Sequence, residues 1–235
     1  LGTAIYRAEG LPGRLAPEAR AFAAAMGDMP ETHKSCHKNR SLADFKEKGP
    51  CLIGATEALG APDFVLWGDS HAAALQPAIS AIAQRMGRKG AMFVAPSCPP
   101  VLGFEFARQR LDCTKKREIV HNYVNTAYID TIILAARWAR SILKEPKRRL
   151  RTLFLDLEHT VVALDPNLQD IWLVRQVPYR MNYDAFVMRL HLAAWVPWLH
   201  SSETRSRIPL AEHRAWQAPA DRILDAVADR HGLGV

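Results

Sequence analysis

From Pro62 onward, short apolar runs alternate with stretches of helical spacing. Phe64 to Trp67 is apolar throughout and is broken by Gly68, which predicts a short buried strand. The pattern then changes. Ala72, Leu75, Ile79, Ile82 and Met86 recur at three- and four-residue steps, which predicts a helix over 71–86. Ala91 to Ala95 reads as a second strand, followed by the loop Pro96-Ser-Cys-Pro-Pro100. A helix over 114–127, an apolar strand over 129–135 and a helix over 150–162 continue the alternation. Ile171 to Val177 is a fourth strand, stopped by Pro178. Residues 179–218 form an irregular, Trp-rich excursion. Residues 219–231 are an amphipathic helix with Ile223, Leu224 and Val227 inward, and Gly232 stops it.

Strands alternating with helices imply a parallel sheet with right-handed crossovers, hence a three-layer α/β/α sandwich. Leu233-Gly-Val235 falls where the alternation requires another strand, so the last sheet element is expected to be truncated. Residues 1–60 lack the alternation. Gly10-Leu-Pro-Gly13 is irregular, Pro17 to Met26 is an Ala-rich helix, and a lysine-rich loop runs on to Cys51. This region is expected to be an extension packed on a main domain over 61–235.

The 235 residues suffice for one α/β domain with a sizeable core. The net charge of +7 mildly favours anionic partners, but the basic residues are scattered and match no nucleic-acid-binding motif. The main cluster, Lys144 to Arg151, reads as a solvated loop around Pro146. No apolar run approaches the length of a membrane helix. The first residue is Leu1, so any targeting information is expected upstream.

The four cysteines add a compartment. Cys36 and Cys51 are as far apart in sequence as Cys98 and Cys113, and neither pair has zinc-ribbon or thioredoxin spacing. Two local disulfides, each worth about 3 kcal/mol in the chain-entropy model, fit an oxidising compartment. Four buried free thiols are the alternative, and spacing does not fix the pairing. His33, Cys36 and His37 have the types of metal ligands, but no second cluster completes a set. A polar loop holding a disulfide cysteine is the expectation, with no metal.

Asp69-Ser70-His71 carries the candidate chemistry. Ser70 falls between a buried strand and a helix N-terminus, whose outward N–H groups and dipole can stabilise an oxyanion. That position suits acyl transfer through serine.

With these residues in hand, Gly68-Asp-Ser-His71 after an apolar strand resembles the first block of the SGNH (GDSL-like) hydrolases. Trp67-Gly-Asp-Ser-His-Ala72, Ser97-Cys-Pro-Pro100 and Ile132-Ile-Leu-Ala-Ala-Arg-Trp138 narrow the resemblance. They are similar to the SGNH domain at the C-terminal end of bacterial acyltransferase-3 (AT3) membrane proteins, which acylate surface polysaccharides such as lipopolysaccharide O-antigen. Gly10-Leu-Pro-Gly-Arg14 resembles the segment linking the last membrane helix to that domain, and the likeness runs from about residue 10 to 231.

The resemblance implies a three-layer SGNH-like fold on the periplasmic face of the inner membrane. It implies an N-terminal AT3 membrane domain as partner and a polysaccharide as acceptor. It implies no cofactor in this domain, with the acyl donor, acetyl-CoA, supplied through the membrane domain. Ser70 would be the nucleophile and its backbone N–H one oxyanion donor, with Gly103 as second-block glycine. Asp69 would brace the turn, and His71, Arg137 and Trp138 would stand near the site.

Two departures qualify this. The family places an Asn after the third strand, where this chain has Arg137 and Trp138. The family's Asp-x-x-His block follows one more strand, so the triad acid and base are expected beyond Val235. Asp156-Leu-Glu-His159 has the spacing but lies inside a predicted helix, and is expected to be helix surface. The chain alone is therefore expected to be nearly inactive. An SGNH esterase is a second reading. A non-catalytic carbohydrate-binding domain using Trp172, Trp195, Trp198 and Trp216 is a third, although tryptophans packed in a core are the default.

Overall fold

A computed structural model describes residues 42–103, 112–141, 146–164, 167–176 and 209–235, with Cys36 among a few isolated earlier positions. Contacts divide the chain into a unit of Glu31–Val177 with Arg214–Val235, and another of Leu1–Pro30 with Pro178–His213. The second unit falls almost wholly outside the described residues. So do the expected helix over 17–26, the linker-like segment before Leu15 apart from Gly13, His33, His37, and the tryptophans 195 and 198.

The main unit holds a five-stranded sheet. In chain order its elements are α1 (Leu42–Glu47), β1 (Cys51–Gly54), β2 (Phe64–Gly68), α2 (Ser70–Arg85) and β3 (Lys89–Val94). They continue with α3 (Cys113–Thr126), β4 (Thr131–Ala135), a 3-10 turn (Trp138–Ser141), α4 (Pro146–Ala163), β5 (Asp170–Val174) and α5 (Leu210–His231). The sheet order is β1-β3-β2-β4-β5. β2 pairs in parallel with β3 and with β4, and β4 in parallel with β5.

β2 is buried along its whole length because it is central and covered on both faces. On one face Val65, Trp67, Phe93, Ile132, Leu134 and Leu173 pack against Val120 and Val124 of α3, Leu153 and Leu157 of α4, and Leu224 and Val227 of α5. On the other, Phe64, Leu66, Met92 and Val94 pack against Ala72 and Ala83 of α2. Each fully buried aliphatic side chain contributes about 1.5–3 kcal/mol. Helices on both faces of the sheet give the expected three-layer architecture.

The elements differ from the sequence pattern in four places. β1, inside the expected extension, joins the sheet antiparallel to β3 and makes it mixed. Its four residues are too few for periodicity to register. Pro146 opens α4, so the basic cluster from Lys147 to Arg151 is helical and not a loop. Proline suits a first helical turn, where its missing N–H would be unbonded in any case. The last helix begins at Leu210 and carries Pro219 inside it. Gln217, just before that proline, donates its side-chain amide to the Gln176 carbonyl at 3.1 Å and anchors the added turn. β5 ends at Val174, earlier than expected. After Gly232 the chain re-enters the sheet beside β5, where Gly234 bridges Trp172 in parallel.

Both disulfides form with the local pairing, Cys36–Cys51 and Cys98–Cys113, at Cα separations of 5.8 and 5.4 Å. The first anchors the start of β1, and the second ties the loop after β3 to the start of α3.

Candidate active site

Ser70 stands at the carboxyl end of β2, and the chain leaves β2 in two directions. β3 lies on one side of it, while the next strand in sequence, β4, lies on the other. The carboxyl ends of β2 and β4 are thus a topological switch point, where open α/β sheets bind ligands.

Gly68 closes β2 against β4. A Cβ there would collide with the Ala135 carbonyl and the Ala72 side chain, so the close approach requires glycine. Asp69 follows as the N-cap of α2 in extended backbone. It is only 5% exposed, and both carboxylate oxygens are engaged. Oδ1 accepts the His71 N–H at 2.8 Å, and Oδ2 accepts the Arg137 N–H at 3.0 Å. One carboxylate therefore caps α2 and ties the chain after β4 to the turn that carries Ser70. The negative charge at a helix N-terminus is stabilised by the dipole.

Ser70 is the first residue of α2 and is exposed, in contrast to its buried neighbours. The Ala73 N–H bonds to the Asp69 carbonyl at 3.2 Å. With the His71 and Ala73 N–H groups turned to Asp69, the Ser70 and Ala72 N–H groups are the other donors of this first turn.

His71 points away from this role. Its imidazole is 8% exposed. Burial, reinforced by the Arg137 guanidinium, lowers its pKa from 6.5 to about 4. At neutral pH it is uncharged and a weak base. Successive helical residues also do not face each other.

The ends of β4 and β5 are stitched together behind Arg137. The buried Trp138 indole donates to the Val174 carbonyl at 2.8 Å, and the Ala139 N–H donates to Gln176 Oε1 at 3.0 Å. Gln176 was not singled out from sequence, because its partners are remote in the chain.

Gly103 has a φ of +77°, which favours glycine, and an added Cβ would lie 3.5 Å from the Asp156 carboxylate. The structure thus brings Gly103 to Asp156 on α4. His159, on the same helix, is exposed. Burial raises the Asp156 pKa, an effect opposed by the charges of His159 and Arg117. Trp172 is 46% exposed on β5, while Trp216 packs partly buried against the core. Among the described residues no helix is long and apolar enough to cross a membrane.

A family model described as "SGNH domain (fused to AT3 domains)" matches residues 35–235. Among solved structures, the chain is similar to the periplasmic domain of a lipopolysaccharide acetyltransferase from Salmonella ser. Paratyphi A. The TM-score is 0.54 at 15% identity, over 88% of this chain and 79% of that one. At that identity the likeness shows the fold. No curated protein matches the chain.

Proposed function

The chain belongs to the SGNH domains that are fused to AT3 domains, and from that premise we propose that it is an extracytoplasmic serine O-acyltransferase. It moves an acyl group, acetyl in the simplest case, onto a hydroxyl of a cell-surface polysaccharide. The observation that carries the reading is the exposed Ser70 at the N-terminus of α2, at the switch point of the sheet. The acyltransferase character of the family and the name of the similar Salmonella domain support the reaction class. The two disulfides support an oxidising compartment. The acyl donor, acetyl-CoA, is used on the membrane-domain side, and this domain holds no cofactor.

In this reaction Ser70 Oγ attacks the acyl carbonyl and forms a tetrahedral intermediate, its hydroxyl proton passing to the donor group that departs. The negative oxygen faces the Ser70 N–H and the dipole of α2, a preorganised arrangement that lowers the barrier. Expulsion of the donor leaves an acyl ester on Ser70. The acceptor hydroxyl then attacks that ester, forming the sugar ester, and its proton returns to the released Ser70 Oγ. Asp69 orients the turn without exchanging a proton, because both its oxygens accept backbone N–H groups. A removable acyl group on Ser70, found by mass spectrometry of the full-length protein and absent in Ser70→Ala, would support the proposal. Undiminished polysaccharide O-acylation by the full-length Ser70→Ala protein would overturn it.

A further inference from the structure

The loop after β3 is held far more firmly than a surface connection needs. It starts beside the serine turn, where the Ala95 N–H bonds to the Gly68 carbonyl at 3.0 Å. It is then tethered at Cys98, Pro99 and Leu102. Cys98 is disulfide-bonded to Cys113, the first residue of α3. Arg117, one turn further along α3, donates from Nε to the Pro99 carbonyl at 3.1 Å. The Leu102 N–H donates to Thr160 Oγ1 at 2.7 Å, and Thr160 Oγ1 in turn donates to the Asp156 carbonyl at 2.6 Å. Gly103 rests against the Asp156 carboxylate.

One of these groups is a costly choice for mere packing. Arg117 is 2% exposed, and burying a guanidinium costs several kcal/mol unless its hydrogen bonds and charge are answered. Burial disfavours the Asp156 carboxylate, and Arg117 is near enough to oppose that effect. An apolar residue in place of Arg117 would fill the same space more cheaply. What it could not do is bond the Pro99 carbonyl of the loop.

We propose that Arg117 and Thr160 form a buried clamp that fixes the Cys98–Gly103 loop, which leaves the sheet beside the serine turn, making them positioning residues for the acyl-transfer site. The proposal rests on the reading of Ser70 as the acyl-bearing residue.

The test uses Thr160→Val, which keeps the shape and removes the hydroxyl, and Thr160→Ser, which restores it, both in the full-length protein. Losing one bond of this kind corresponds to about 1.4 kcal/mol, or tenfold. The expected result for Thr160→Val is amide exchange at Leu102 and its loop neighbours accelerated about tenfold, with β2 amides unchanged. The kcat for polysaccharide acylation should fall about tenfold while KM stays within about twofold. Thr160→Ser should recover most of both. The clamp is overturned if loop exchange does not respond to Thr160→Val, or if Thr160→Ser is as impaired as Thr160→Val. Absence of Ser70-dependent acylation in the unaltered protein would instead overturn the reading of Ser70, and the exchange measurement would still decide the clamp.

Discussion

Asp69-Ser70-His71 and Asp156-Leu-Glu-His159 each hold an aspartate within three residues of a histidine, and the fold uses the two segments in opposite ways. Asp69-Ser70-His71 lies at a strand-to-helix boundary, where backbone N–H groups lack helical partners and one is taken by Asp69. Asp156-Leu-Glu-His159 lies inside α4, where the backbone is already bonded and only side chains can act. The first segment exposes its serine. The second turns Asp156 toward the loop after β3 and leaves His159 in solvent. Residue types and spacing propose chemistry, but the local supply of unbonded backbone groups decides where it can occur.

The sharpest way to break the comparison is to remove one side chain from each segment. Ser70→Ala should lower acyl transfer by at least about 10³-fold, measured as acyl groups on the polysaccharide. His159→Gln should leave transfer unchanged and stability within about 0.5 kcal/mol, since it is an exposed helix position. Comparable losses in the two variants would abolish the distinction.

Acidification separates the segments by sign. His71 has a lowered pKa, so between pH 6.5 and about 4 the unfolded chain binds more protons than the folded one. The folded state should therefore lose stability as pH falls through that window, by about 3 kcal/mol for the whole shift. Asp156 has a raised pKa, so its ionisation opposes folding and acidification through its folded pKa should stabilise. Denaturant titrations of His71→Gln and Asp156→Asn across this range would show it. His71→Gln should flatten the acid loss, and Asp156→Asn should deepen it. The same slope in both variants would contradict the assignment.

Asp69→Asn probes the capping carboxylate itself. Asparagine offers one acceptor oxygen, so an amide NH₂ would face either the His71 or the Arg137 N–H. A loss of about 1–3 kcal/mol in unfolding free energy is expected, with lower kcat and little change in KM. A bell-shaped pH profile that loses its acidic limb in Asp69→Asn would show proton transfer by Asp69 instead. A further loss is expected behind the site. Trp138→Phe removes the indole bond to Val174 and part of a fully buried ring, for about 2–3 kcal/mol in thermal or denaturant unfolding.

Most of the alternation was legible because β2 is one continuous apolar run and the spacing from Ala72 to Met86 is helical. The boundary between them was legible for the same reason, and with it Ser70. β1 was not, since Cys51-Leu-Ile-Gly54 is short and gains its meaning only from pairing with β3. Pro146 and Pro219 misled because each reads as a break, whereas one opens a helix and the other is carried within one.

By itself, then, the sequence determined the alternating elements, the local disulfide spacing and the serine at the head of a helix. These are properties of neighbouring residues, set by periodicity, burial and backbone preference. Only the tertiary structure decided which loops meet that serine. Asp69 binds the backbone of a residue 68 positions away, and Thr160 binds one 58 positions away. Such contacts depend on strand order and on which helix covers which face. No local pattern encodes them, because their free energy appears only once the sheet has brought the partners together.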